Sequence, residues 1–178
     1  MRIDYLARHP HLLPILAEWS YREWFQYVGL TPKHAVDQLH HRLREEELPL
    51  TLVAFADEPV GMASIVEEVP PDHCELIACL AGVYVVPRGR RQGLGRLLCQ
   101  RAWLEAQRLG LPKLGLYTPT QETFYAQLGW TRCVETVVET GHTHQIATYM
   151  ERAVSPGDQD GNEVPGVETA SVCASWRR

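Results

Sequence analysis

Between Pro87 and Arg96 the chain reads Pro-Arg-Gly-Arg-Arg-Gln-Gly-Leu-Gly-Arg. Arg88, Arg90 and Arg91 bring positive charge, while Gly89, Gly93 and Gly95 lack a Cβ and let a bulky group approach the backbone. An apolar run ending at Pro87 precedes this stretch and helical periodicity follows from Gly93, so it forms a strand-to-helix turn. The free N–H groups and positive dipole end of the new helix then point into the loop. Such a loop suits an anion, above all a phosphate or pyrophosphate; the competing reading is a glycine-rich turn that serves packing alone. Two familiar phosphate motifs are excluded. A P-loop needs Lys and then Ser or Thr after its last glycine, where this chain has Arg96 and Leu97. The dinucleotide fingerprint needs a third small residue at position 98, which is Leu.

Other reactive side chains carry weaker signals. The chain has five cysteines, Cys74, Cys79, Cys99, Cys133 and Cys173, with no Cys-x-x-Cys pair, which suits reduced thiols used for packing. His40 and His41 are adjacent on a helix and point apart, so they are read as surface residues. His142 and His144 flank a turn without a third ligand, so no metal site is expected. The net charge of −5 argues against a general nucleic-acid binder. No apolar run has transmembrane length and no signal-like segment opens the chain, so a cytoplasmic protein without membrane contact is expected. At 178 residues with 45% hydrophobic content, one domain with a substantial core is expected.

The elements that must position the loop follow from periodicity and breakers. Arg2 to Leu6 is a short strand, and a helix opens at His9-Pro10 or, given Pro14, nearer Leu13. Trp19, Tyr21, Trp24, Phe25 and Tyr27 form an aromatic cluster that suits either core packing or a ligand wall. Thr31-Pro32 caps a second helix, expected to run to about Glu47 before Pro49. Leu50–Ala56 and Val60–Glu67 form a hairpin, and a long strand runs from about Glu75 to Val86 with Gly82 marking a bulge. A helix from Gly93 to Leu109, burying Leu94, Leu97, Leu98, Ala102 and Leu109, ends at Gly110. It leads to the strand Lys113–Tyr117, a βαβ unit with parallel strands. A short helix spans Gln121–Leu128, and a final hairpin turns at Gly141. From Ala153 the composition shifts to small and polar residues, so 153–178 reads as a flexible tail after a 1–152 domain.

Arg90-Arg91-Gln92-Gly93-Leu94-Gly95, read as Arg/Gln-x-x-Gly-x-Gly/Ala after an apolar strand and Val-x-Pro, resembles the acetyl-CoA pyrophosphate loop of the GNAT superfamily of N-acetyltransferases. The segment Leu114–Trp130, with Phe124-Tyr125 on a short helix and Leu128-Gly129-Trp130 after it, resembles the second signature of that family. Together the resemblance covers about residues 2–151. It implies an α+β, three-layer fold: a strongly twisted mixed sheet of about seven strands, splayed between the fourth and fifth and flanked by helices. It implies acetyl-CoA as co-substrate, with backbone groups of Val83 and Val85 holding the pantetheine arm. The segment Arg90, Arg91, Gln92, Gly93, Leu94, Gly95 and Arg96 would hold the pyrophosphate. Tyr125 matches the tyrosine that stands near the thioester sulfur, as general acid or thiolate hydrogen-bond donor; a core tyrosine is the other reading.

The implied reaction is direct attack of a primary amine on the thioester through a tetrahedral intermediate. Freeing the lone pair of a lysine-like amine (pKa ~10.4) at neutral pH costs roughly 4–5 kcal/mol, and that of an α-amine (~7.8) about 1, so a base matters most for the former. Full proton transfer from a tyrosine to a thiolate is uphill by about 2 kcal/mol from ordinary pKa values, which favours a hydrogen-bonding role. Glu75 is the first candidate base, with Glu67, Glu68, Glu23 and His73 beside it; each also reads as a surface residue. Ala78-Cys79 stands where related sequences commonly carry Pro-Trp, so the acceptor side departs from the pattern. Cys79 as an acetyl-carrying nucleophile is disfavoured because direct transfer needs no covalent intermediate. The other functional class compatible with these residues is a non-catalytic acyl-CoA-binding or sensing domain. The acceptor is a small-molecule or peptide amine, and a homodimer is left open.

Overall fold

The computed structural model describes residues 1–69 and 76–154. In chain order it places β1 (Arg2–Tyr5), α1 (Leu13–Glu23), α2 (Pro32–His40), β2 (Leu50–Phe55), β3 (Pro59–Glu68), β4 (Ile77–Val85), α3 (Leu94–Arg108), β5 (Lys113–Thr118), α4 (Glu122–Ala126), β6 (Thr131–Thr140) and β7 (Thr143–Ala153). Short 3-10 turns lead into α1, follow it at Phe25–Val28, and fill Pro87–Gly89.

The strands form one seven-stranded sheet in the order β1-β2-β3-β4-β5-β7-β6, in which only β4 and β5 run parallel. Period-two alternation sorts the side chains to two faces. Val53, Phe55 and Met62 point to α1 and α2 with Leu16, Ala35 and Leu39. Leu52, Ala63, Ile65, Leu80, Leu114 and Leu116 point to α3 with Leu94, Leu98 and Ala102. Each fully buried Leu in these layers contributes on the order of 2 kcal/mol. The mixed sheet between two helical layers is the expected α+β architecture.

Two features of β4 shape everything near it. Its register against β3 slips between Met62 and Ser64, where Gly82 at φ +57° is the extra residue of a bulge. The bulge inverts the alternation: Ala81 lies on the α1 side, whereas Val83 packs toward the α3 side. Pairing with β5 is limited to Cys79↔Gly115 and Leu80↔Leu116, so beyond Leu80 the strands diverge.

The structure corrects three local expectations. The second helix ends at His40, not near Glu47. Arg44, Glu45 and Glu46 instead take part in ion pairs with Glu47, Arg8 and Arg108, and acidic residues are poor company for a helix C-terminus. Leu97 is exposed, since the buried face of α3 runs through Leu94, Leu98, Ala102, Glu105 and Ala106. Gly89 is buried and its missing side chain serves packing, for a Cβ there would lie 3.0 Å from Leu94 Cδ1.

A polar cluster ties the N-terminus to α3. Glu105, 3% exposed, accepts from Tyr5 Oη at 2.8 Å, Arg101 Nε at 2.8 Å and Arg108 Nε at 2.7 Å. Burial pushes its carboxyl up, and the three donors overcome that and hold it below the ordinary range.

Candidate active site

The loop after β4 is built by backbone conformation. Arg91 adopts φ +62° and Gly93 φ +80°, and α3 starts at Gly93 without a side-chain cap. The first N–H groups of α3, from Gly93 through Arg96, therefore have no side-chain acceptor and face a cleft lined by residues 89–91 and 93–96 together with Phe124 and Tyr125. Nothing lies within 4 Å of a Cβ built on Gly93, which leaves room for a group seated directly on the amides. Leu94 contributes its N–H only, its side chain being 3% exposed in the core. Gln92 braces the loop by donating from Nε2 to the Arg88 carbonyl at 2.9 Å.

The arginines divide. Arg88 turns outward to Glu58 at 2.9 Å. Arg91 and Arg96 are exposed and have no ion pair among the described residues. Arg90 folds back into the space between β4 and β5, its Nε donating to the Val85 carbonyl at 2.9 Å and its guanidinium 3.5 Å from Glu23.

That space is the second part of the site. The Val86 N–H bonds to Val60 of β3 at 3.0 Å, so by strand alternation the peptide groups of Val83 and Val85 face the opposite, unpaired edge of β4. They line a cleft of about 460 Å³ with Tyr117, Thr118, Gln121 and Tyr125 on its far side. Tyr125 lines this cleft and the loop cleft alike. Burial raises the pKa of its hydroxyl well above the ordinary phenol value, with nearby Cys99 adding to the effect, so it is a proton donor at neutral pH.

A third cleft, about 570 Å³, opens on the α1 side of the sheet between Trp24, Phe25, Tyr27, Arg42, Glu68 and Gln145. It shares Glu23, Trp24, Ala81, Gly82 and Pro119 with the cleft between β4 and β5, so the two meet at the β4 bulge. The aromatic cluster seen in the sequence divides between core packing and cleft lining. Trp19 stacks on Tyr84 at 5.3 Å within the core, while Trp24 stands at the junction and Phe25 and Tyr27 wall the third cleft. The β6–β7 turn reaches across to this wall, where the His142 N–H donates to the Val28 carbonyl at 3.0 Å.

Among the candidate bases, Glu75 and His73 lie outside the described residues. Glu67 alternates away from the third cleft, whereas Glu68 lines it. Burial raises the Glu68 carboxyl above its ordinary range, against a smaller opposing pull from Arg42. Glu23 stands at the junction itself. Cys79 is 1% exposed and burial pushes its thiol up to about 12, which leaves no thiolate for nucleophilic attack at neutral pH. Among the described residues no group of three His, Cys, Asp or Glu side chains is placed to hold a metal, and no helix is long and apolar enough to cross a membrane. Arg42 and the reach of the hairpin to Val28 were missed by the sequence reading. The first was assigned to a helix, and the second is a contact between segments far apart in the chain.

Residues 48–132 match the family model of the acetyltransferase (GNAT) domain. Among curated proteins, none matches the sequence. Among solved structures, an aminoglycoside 6'-N-acetyltransferase complexed with coenzyme A superposes with a TM-score of 0.67 at 17% identity, over 88% of this chain and 98% of that one. A probable acetyltransferase from Staphylococcus epidermidis gives 0.66 at 15% identity, over 86% and 99%. A spermidine N-acetyltransferase SpeG chimera from Vibrio cholerae and hSSAT gives 0.64 at 16%, over 87% and 97%.

Proposed function

The chain carries a GNAT acetyltransferase domain, and on that premise we propose that it transfers the acetyl group of acetyl-CoA to a primary amine by direct attack. The observation that carries this reading is the continuity of the three clefts: loop amides, unpaired β4 edge and acceptor cleft form one path that turns the corner at Gly82. A pyrophosphate would lie on the Gly93–Arg96 amides, with Arg91 and Arg96 balancing its charge. The pantetheine arm would run along Val83 and Val85 as a substitute neighbouring strand, which places the thioester toward Ala81 and Gly82.

Arg90 occupies that track in the free protein, bonded to the Val85 carbonyl and paired with Glu23. The pantetheine amide needs that carbonyl, so co-substrate entry displaces Arg90 toward the phosphates and releases Glu23 at the junction. Glu23 then takes a proton from the acceptor's ammonium, directly or through a water, and the freed amine attacks the thioester carbonyl. Tyr125 donates a hydrogen bond to the departing sulfur. Its raised pKa makes outright proton loss costlier still, so its contribution is electrostatic.

The test is free-thiol release from acetyl-CoA with a panel of amines, beside thermal stabilisation by the co-substrate. Tyr125→Phe is expected to lower kcat by about 10–1000-fold with acetyl-CoA affinity nearly unchanged; an unchanged kcat removes Tyr125 from the mechanism. Stabilisation by acetyl-CoA without turnover on any amine would favour a sensing domain instead.

A further inference from the structure

The acceptor cleft contains a cation that its surroundings leave unmatched. Arg42 stands two residues beyond α2, where its N–H bonds to the Leu39 carbonyl and the chain turns toward β3. Its guanidinium donates to Ser64 Oγ at 3.3 Å and to Gln38 Oε1 at 2.9 Å, both uncharged. Among the described residues no carboxylate is in ion-pair contact with it. Of the two carboxylates that line the cleft, Glu23 pairs with Arg90 in the free protein and, on the mechanism proposed above, serves the acceptor's amine once the co-substrate is bound. Glu68 acts on Arg42 only through space, and burial favours its uncharged form. A guanidinium has five N–H donors in a planar fork matched to a carboxylate, and two neutral partners leave most of that capacity unused.

The position of this charge constrains what it can hold. Ser64 lies directly across from Ala81 in the β3–β4 register, and Ala81 is one of the residues at which the cofactor and acceptor clefts meet. Cross-strand Cα atoms are about 4.5–5.5 Å apart, so the guanidinium is within about 10 Å of the junction. A carboxylate hydrogen-bonded to Arg42 puts an amine on the adjacent carbon about 6 Å from the guanidinium, which lies inside that limit. A polyamine would place a second cation against the guanidinium. Trp24, Phe25 and Tyr27 give one side of the cleft an aromatic wall, with the polar Gln38, Glu68 and Gln145 elsewhere in its lining.

We propose that Arg42 is the specificity-determining residue of the acceptor cleft and that the acceptor is a free α-amino acid with a large apolar side chain, its carboxylate on the Arg42 guanidinium and its amine at Ala81–Gly82. The assignment rests on reading this cleft as the acceptor site.

The probes are L-phenylalanine and L-phenylalaninamide, which differ at the carboxylate, with spermidine as the polycation. Each is titrated calorimetrically into the full chain saturated with CoA, and each is assayed for acetylation by acetyl-CoA. The acid is expected to bind about 10–100-fold more tightly than the amide, as a charge-assisted pair implies, and spermidine more weakly than both. Arg42→Gln brings the acid-to-amide ratio close to one, and Arg42→Lys retains part of it; ratios within one variant cancel any general loss of folded protein. Equal binding of acid and amide, preference for spermidine, binding of neither probe, or a ratio that survives Arg42→Gln each overturns the proposal. Acid-selective, Arg42-dependent binding without acetylation of any amine sustains the assignment and overturns acetyl transfer. Acetylation without acid selectivity does the reverse.

Discussion

Glu23 and Tyr125 both line the cleft between β4 and β5, one from the end of α1 and the other from α4. On the proposed reading, the carboxylate takes the proton of the acceptor's ammonium before the amine attacks, and the phenol hydrogen-bonds the departing sulfur. Glu23→Gln is therefore expected to lower kcat/KM by about 10²–10³-fold, measured by steady-state kinetics; an unchanged kcat/KM assigns the base elsewhere. Single residues also show the limits of sequence reading. Gly93 was legible because spacing along a loop is local, and its positive φ and open surroundings follow from the same glycine. Arg42 was not legible: it sits inside a run that has helical periodicity, and only the early end of α2 turns it into the cleft. For Glu67 and Glu68, alternation separates the pair, but which of them faces the acceptor side depends on packing against α1 and α2.

At the scale of elements, the bulge in β4 is the controlling feature. Gly82 at φ +57° reverses the facing of the strand, and a side chain in that conformation costs on the order of 1–2 kcal/mol. Gly82→Ala is expected to lower unfolding free energy by about 1 kcal/mol and to raise the KM for acetyl-CoA, measured by denaturant titration and steady-state kinetics. Unchanged KM would mean that the cleft tolerates loss of the bulge. The glycine in a long strand announced this bulge, while the short pairing of β4 with β5 had no local signal and entered only through family resemblance. Glu105 governs a second element contact, between β1 and α3. Its carboxyl lies below its unfolded pKa of about 4.3. Its stabilisation is therefore complete above that value and is lost as pH falls through the lower folded-state pKa. Glu105→Gln should cost about 3 kcal/mol at pH 7, and its stability should decline less steeply than that of the parent between about pH 5 and 3.

For the whole molecule, the fold runs through Val154, which is 5% exposed and donates its N–H to the Pro112 carbonyl. We propose that residues 1–154 form the complete acetyltransferase unit. A chain ending at Val154 is expected to retain the melting temperature of the full chain. Both should gain about 2.7 kcal/mol in CoA at a hundred times its Kd, a rise of roughly 5–10 °C. A lower melting temperature or a lost CoA response would place part of the unit in residues 155–178. The overall architecture came from the family resemblance, and the order of its strands and helices was readable from alternation, a βαβ unit and a closing hairpin. The path of the acceptor cleft was not, since its walls come from α1, α2, β3 and β7 at once.

The meeting of the β6–β7 turn with the segment after α1 changes how that architecture can move. Gly141 lies so close to this segment that a Cβ there would collide with the Val28 carbonyl, and a Cβ on Gly29 would fall 2.8 Å from His142. The two halves of the sheet thus meet at two places, the two residue pairs between β4 and β5 and the contact of the β6–β7 turn with the segment after α1. Each hydrogen bond in these ties contributes about 1 kcal/mol, so together they resist separation of the two halves of the sheet more than either does alone.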